Sequence, residues 1–289
     1  MQKQTFKMYF LNRMRNEKPF PAVLIAYLLF CIASFIYFAV IGQTRNLLMC
    51  LMYTLFVPLI MVVEKKLHIR LVAIFTFLVL FIAVGSILGA CYDLYSILPW
   101  FDVLLHGIAG FTFACFGFTL LMKLIGEPQD SKKFFACLLF GIMCSLAIAT
   151  LWELFEYAAG ALLGSDMQED TIINGFGSYL LSGTHNEILE VDGIVQTVIY
   201  YGNGKTIVID GYLDIGLLDT MGDMLTCLVG VVVYCVVIAV DWFKGRKRLF
   251  RHIIPQIEDM TMYKVPHEEF VLEQGLSETN ELIMDKPSI

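Results

Sequence analysis

Charged residues are scarce in this sequence. Asp, Glu, Lys and Arg together make up 16% of its 289 residues, whereas hydrophobic residues make up 58%. A water-soluble domain of this composition would be unusual, and several apolar runs exceed the ~18 residues that mark a candidate membrane span. The scarcity of charge therefore excludes an ordinary soluble protein and indicates a polytopic membrane protein.

Familiar catalytic signatures are also missing. The sequence has no Gly-rich phosphate loop, no Gly-x-Ser-x-Gly nucleophile elbow and no His-Glu-x-x-His zinc motif. These absences remove the usual signs of nucleotide-binding, α/β-hydrolase and zinc-protease chemistry. No internal repeat is evident, which counts against a transporter built from repeats. The eight cysteines lie mostly in apolar runs, so we interpret them as reduced core residues.

What the sequence does contain is six apolar segments, which predict an all-α polytopic membrane protein with a six-helix transmembrane bundle. Pro58 predicts a kink in the second segment. The spans are expected at about 22–41, 47–63, 71–91, 103–124, 134–163 and 217–242. The predicted regions are a basic amphipathic segment at 1–20, helices one to five within 21–163, a polar segment at 164–215, helix six at 216–243, and a basic then acidic tail at 244–289.

The distribution of basic residues predicts the orientation. With the N-terminus inside, all of the 20 Lys and Arg residues except Arg45 and Lys205 lie on the cytoplasmic side. The positive-inside rule therefore places both termini in the cytoplasm, and we expect a multi-pass protein of a bacterial plasma membrane. Because topology explains the basic residues, they give no support to nucleic-acid binding. Membrane lipids are the expected partners, whereas the small-molecule or lipid substrate and the oligomeric state are not specified.

The segment at 164–215 is then extracytoplasmic, and its second half shows strand patterns. Two β-rich runs, Ile194–Tyr201 and Lys205–Ile209, flank Gly202-Asn203-Gly204. Asn-Gly between such runs is a strong hairpin signal. The sequence therefore predicts a small extracytoplasmic β-hairpin cap between helices five and six.

Two carboxylates stand out in the fifth segment. Glu153 and Glu156 are three residues apart, so they share one helix face, and an ionisable group within a span costs roughly 2.5 kcal/mol or more. The same face continues through Ala149, Ser145 and Gly141. Small residues in such a row allow close approach of a neighbouring helix, so we expect this acidic face to point into the protein.

Two other helices place polar residues at the same depth. Asp102 and His106 lie one turn apart at the start of span four, and Asp219 and Asp223 lie one turn apart at the start of span six. Span five runs in the opposite direction, so its two glutamates come late in it. All three pairs are therefore within roughly two turns of the outer boundary.

Each residue has a simpler interpretation, but together they point to shared protons or a bound cation. Asp102 and Asp219 suit helix N-caps, and a lone His106 suits a hydrogen-bonded core. Five carboxylates close together, with no Lys or Arg beside them in these helices, must share protons or hold a cation. An oxygen-rich set with one imidazole suits Mg²⁺, Mn²⁺, Ca²⁺ or iron, with Zn²⁺ also possible. The candidate metal ligands are Asp102, His106, Glu153, Glu156, Asp219 and Asp223, and the candidate catalytic carboxylates are Glu153 and Asp223.

Three motifs in this region resemble the YjdF-type bacterial membrane proteins. They are Phe101-Asp102-Val103-Leu104-Leu105-His106, Trp152-Glu153-Leu154-Phe155-Glu156 and Asp219-Thr220-Met221-Gly222-Asp223-Met224. The likeness covers about Tyr92 to Val233. The chain differs at Val103 and Met221, where the family often has Arg and Gln. The resemblance implies a shared polar constellation and supplies no reaction.

Three functions stay open on the sequence alone. The first is a cation-binding membrane enzyme or sensor, with bound metal activating water or polarising a phosphoryl or carbonyl group and a spare carboxylate acting as general base. The second is a cation- or proton-coupled transporter with the acidic cluster as its coupling site. The third is a non-catalytic scaffold in which a structural polar network fixes helix register.

Overall fold

A computed structural model describes residues 10–11, 13–15, 19–164, 166–245 and 255–257. Within these residues, six helices are long and apolar enough to cross a membrane, which confirms the predicted all-α polytopic fold. Most of the predicted amphipathic segment at 1–20 and of the tail at 244–289 lies outside the described residues. The spans, numbered one to six, are Pro19–Val40, Thr44–Leu67, Ala73–Cys91, Trp100–Ile125, Ser131–Leu163 and Leu217–Phe243.

Spans two and three depart from regular α-helix. Span two consists of the helices Thr44–Thr54 and Phe56–Leu67, which meet at Leu55. The break precedes the predicted kink at Pro58 because the proline ring clashes with the carbonyl four residues earlier, that of Thr54. Span three ends in a π-helical turn, Ile87–Cys91, and two short helices follow later in the chain, Leu94–Ile97 and Tyr179–Ser182.

Spans four, five and six pack through small residues. Gly110 of span four lies so close to span six that a Cβ on it would be 2.9 Å from the Cα of Cys227. Gly141 of span five approaches span four equally tightly, since a Cβ there would be 2.6 Å from the carbonyl oxygen of Ala114. The hydroxyl of Ser145 donates to the carbonyl of Gly110 at 2.9 Å. The row of small residues that the sequence shows is therefore the surface on which these helices meet.

The described residues contain eight short strands, numbered β1 to β8 in chain order: Ile69–Arg70, Thr171–Ile173, Phe176–Ser178, Leu189–Val191, Thr197–Tyr201, Lys205–Ile209, Tyr212–Asp214 and Gln256–Ile257. They form four separate antiparallel pairs, β1–β8, β2–β7, β3–β4 and β5–β6. The predicted hairpin is confirmed as β5–β6, with Tyr201 opposite Lys205, although its first strand begins at Thr197. The pairs β2–β7 and β3–β4 were not predicted.

At the end of the bundle where span two finishes, Arg13 and strand β8 both contact the region that follows span two. The buried guanidinium of Arg13 forms an ion pair with the buried carboxylate of Glu64, and it also donates to the carbonyl of Leu71 at 3.2 Å. Strand β8, from the tail, pairs with β1 in the same turn. Residues from the early and late parts of the chain therefore lie together at the end of the bundle opposite the start of spans four and six.

Candidate metal centre

The six predicted site residues lie where spans four and six begin and span five ends. We call this the site end of the bundle. Asp102, His106 and Asp223 form one group, and Glu153, Glu156 and Asp223 form another, with ligand atoms within 4.8 Å of one another in each group. Asp223 belongs to both groups, so it connects the two halves of the cluster. The structure therefore brings five of the six residues into these groups, whereas Asp219 lies outside both.

His106 lies between two carboxylates from different helices. Its Nε2 atom is 3.4 Å from Oδ2 of Asp223 and 3.7 Å from Oδ1 of Asp102. On its other side, Nδ1 is 3.8 Å from Sγ of Cys227, and that thiol donates to the backbone carbonyl of His106 at 3.2 Å. The imidazole is thus held so that Nε2 points into the acidic cluster.

Glu153 and Glu156 are buried members of the cluster, and each has one carboxylate oxygen without a partner among the described residues. Their exposed fractions are only 6% and 7%, and that of Asp223 is 4%. The Oε2 atom of each glutamate is buried and has no hydrogen-bond partner among the described residues. Oε1 of Glu156 accepts a hydrogen bond of 2.8 Å from Nε1 of Trp152, which fixes that side chain. Buried carboxylate oxygens without partners are costly, so protonation or a bound cation would stabilise both groups.

Neither Asp102 nor Asp219 occupies the N-cap position of its helix, although both lie in the first turn, where a carboxylate suits the helix dipole. Pro99 is the N-cap residue of span four and Gly216 that of span six, where the backbone N–H of Leu218 donates to Oδ2 of Asp214 at 2.8 Å. Oδ2 of Asp219 instead accepts from the backbone N–H of Glu169 at 3.0 Å. Asp219 thus tethers the residues that follow span five to the start of span six.

A cavity of about 440 Å³ opens beside the cluster. Its lining includes Arg45, Tyr95, Asp166 and Glu169, none of which we had predicted as site residues. Burial raises the pKa of Glu169, and the carboxylates of Asp219 and Asp102 raise it further. Burial also raises the pKa of Tyr95, with Asp102 again adding to the effect, so its hydroxyl stays protonated.

Three of these four residues have a recognisable signal in the sequence. Arg45 is one of the two basic residues that the predicted topology places outside, and Asp166 and Glu169 belong to an acidic run directly after span five. Burial raises the pKa of Asp166, as does Asp170, whereas the positive charge of Arg45 lowers it. Tyr95 offered no comparable signal, because its place depends on how the linker between spans three and four folds.

A family model described as a predicted membrane protein (DUF2238) matches residues 22–243. The chain belongs to this family. The match takes in nearly all of span one and the whole of spans two to six, and so includes every member of the acidic cluster. No curated protein and no solved structure matches the chain.

The geometry of this DUF2238 protein allows two kinds of chemistry. Clustered carboxylate oxygens with one imidazole nitrogen offer the donor set of a hard divalent cation. Without a cation, carboxylates this close cannot all be ionised and would share protons. Both arrangements place a charged, largely buried group next to an open cavity.

Proposed function

We propose that this DUF2238 protein binds a divalent cation at the site end of the bundle and uses it for metal-assisted chemistry at the outer leaflet. The observation that carries the proposal is the pair of buried Oε2 atoms of Glu153 and Glu156, which have no partner in the described chain. One carboxylate oxygen from each of Glu153, Glu156 and Asp223 lies within 4.8 Å of the other two, so a cation there would be held by all three groups. Asp102 and His106 complete the donor set, with Asp219 adjacent.

Charge balance favours a cation over a purely structural network. In the described part of the chain, Arg45 is the one Lys or Arg that lines the cavity, and its side chain is exposed. A single exposed guanidinium is screened by water and offsets little of the repulsion among several buried carboxylates. A divalent cation would offset that repulsion at short range.

The bound metal would polarise a phosphoryl or carbonyl oxygen or activate water. Glu153 and Asp223 are the carboxylates that we assign to catalysis, because one can serve as general base while the others hold the ion. The proposal also places the protein in a bacterial plasma membrane with both termini in the cytoplasm. It includes the resemblance to the YjdF-type proteins as well. Proton-coupled or cation-coupled transport is the outcome if the cluster binds ions without turning over a substrate.

Titration with Mn²⁺ tests the proposal. We expect saturable binding to wild-type protein, and at least about tenfold weaker binding to Glu156→Gln, because even the loss of an outer-shell partner has that effect. Glu127→Gln is the matched control, since Glu127 is exposed in the loop between spans four and five. Equal affinity of all three proteins would contradict the assignment. In sealed right-side-out vesicles, binding from outside would also support the orientation.

A further inference from the structure

The cavity beside the cluster has two chemically different parts. Its end at the cluster is lined by carboxylates and His106, whereas the rest is lined by apolar side chains of spans two to five: Phe56, Ile82, Leu105, Ala109, Phe113 and Ile148. A volume of about 440 Å³ is within the usual range for a small-molecule site. A site that is apolar along most of its length and charged at one end fits a single-chain amphiphile.

The apolar part has a wall that faces the outside of the bundle. Leu151 of span five lines the cavity, yet 65% of its side chain is exposed. In a helix that crosses a membrane, such a residue lies against lipid. The cavity therefore lies directly behind a lipid-facing side chain, on the side from which an alkyl chain would enter.

The polar end also carries donors that suit an anion. Arg45 lines the cavity from span two, whereas the carboxylates come from spans four to six, and a guanidinium is well matched to phosphate oxygens. Tyr53, also on span two, is 1% exposed, lines the same cavity, and its hydroxyl has no hydrogen-bond partner in the described chain. Both groups donate, so they complement the acceptor-rich cluster opposite.

We infer that the ligand of this cavity is a single-chain lipid phosphate monoester. Its phosphate would bridge Arg45, the Tyr53 hydroxyl and the cation, and its alkyl chain would lie against the apolar walls. Divalent cations are commonly held by protein carboxylates on one side and substrate phosphate on the other. The inference rests on the proposed function, because the cation supplies one of the contacts to the phosphate.

Quenching of Trp152 fluorescence tests this inference, because Trp152 lines the cavity. Trp100→Phe and Trp242→Phe leave Trp152 as the sole tryptophan of the chain, and the protein is loaded with Mn²⁺ in phosphatidylcholine nanodiscs. The probe is hexadecyl phosphate with a brominated chain, and brominated hexadecanol is the control for non-specific contact with lipid. We expect saturable quenching by the phosphate and only a weak, linear effect of the alcohol.

Two variants test the contacts with the phosphate headgroup, and a third tests where the alkyl chain lies. In the sole-tryptophan background, Arg45→Gln and Tyr53→Phe should each raise the Kd for the phosphate probe about tenfold, the usual effect of losing a hydrogen bond to a charged group. Ala109→Phe should prevent quenching by filling the apolar part. All three should bind Mn²⁺ as the parent does, which shows that they are folded and separates this inference from the metal site.

The outcomes are distinct. Equal quenching by the alcohol would overturn headgroup recognition, and an unchanged affinity in both Arg45→Gln and Tyr53→Phe would do the same. Displacement of the probe by millimolar inorganic phosphate, with no loss of phosphate binding in Ala109→Phe, would show a site for free phosphate instead of a lipid. Absence of Mn²⁺ binding in the parent would overturn the proposed function itself.

Discussion

Removing the metal with EDTA should lower the melting temperature of the wild-type protein by on the order of 5 °C. A ligand present at 100 times its Kd stabilises the folded state by about 2.7 kcal/mol, and a chain of this size shifts by a few degrees per kcal/mol. The physical cause is that chelation leaves Glu153, Glu156 and Asp223 facing one another without the ion. Differential scanning fluorimetry of the purified protein in detergent measures the shift.

Neutralising one carboxylate should change the melting temperature relative to wild type in opposite directions with and without metal. In EDTA, Glu153→Gln should melt at or above the temperature of chelated wild type, because the substitution removes one repelling charge. With metal present, the same variant should melt below wild type, because it has lost a ligand. Glu127→Gln, remote from the cluster, should follow wild type in both conditions.

A structural network makes the opposite prediction. If Glu153 served only as a hydrogen-bonding residue, Glu153→Gln would destabilise by about 1–3 kcal/mol with or without metal. An EDTA-insensitive melting curve, together with that uniform loss, would replace the cation by a polar scaffold.

Substitution of Gly110 by Ala should have the largest effect on folding. A Cβ at this position would lie 2.8 Å from the carbonyl carbon and 2.9 Å from the Cα of Cys227. Both are backbone atoms of span six, so no side chain can rotate away, and the two helices must separate. Overpacking commonly costs 1–3 kcal/mol, and we expect a cost above about 3 kcal/mol where only backbone can yield.

Gly222→Ala is the matched control, since it makes the same chemical change in a helix of the same packed unit. An ideal Cβ on Gly222 meets nothing within 4 Å. We expect unchanged or slightly higher stability, because Ala is favoured over Gly in helices by about 1 kcal/mol. Size-exclusion profiles after graded heating, with Mn²⁺ binding as a second readout, compare the two variants. Equal behaviour of both would contradict the close packing of spans four and six.

Separation of these helices should also weaken the metal site. Cys227, which Gly110 touches, lies one turn after Asp223 on span six, and His106 lies one turn before Gly110 on span four. The contact between Gly110 and Cys227 therefore helps to hold Nε2 of His106 at 3.4 Å from Oδ2 of Asp223. Loss of Mn²⁺ binding should accompany the loss of stability in Gly110→Ala.

The parts of this fold that follow from local pattern could be read in the sequence. Spacings of three and four residues put Glu153 and Glu156 on the face that carries Ser145, and the structure buries that face. Asn203 followed by Gly204 marked the hairpin. In each case the signal lies within one element, where helix or strand periodicity alone fixes which side chains share a face.

The parts that depend on contacts between distant segments could not be read in this way. Pairing of β2 with β7 joins residues about 40 positions apart, and neither three-residue strand has a distinctive pattern of its own. Arg45 and Tyr53 reach the cavity only because span two packs near the site end. Asp219 suits a helix cap by sequence, but Gly216 holds that position, and Asp219 binds the backbone of Glu169 instead.

The most direct measurement is the metal content of wild-type protein purified without chelator, determined by elemental analysis of the size-exclusion peak. The account predicts a stoichiometric divalent metal that is lost in EDTA and regained on addition of Mn²⁺. If the protein carries no stoichiometric metal and takes up none from Mg²⁺, Mn²⁺, Ca²⁺, Fe²⁺ or Zn²⁺, the buried carboxylates share protons and the cation site is wrong.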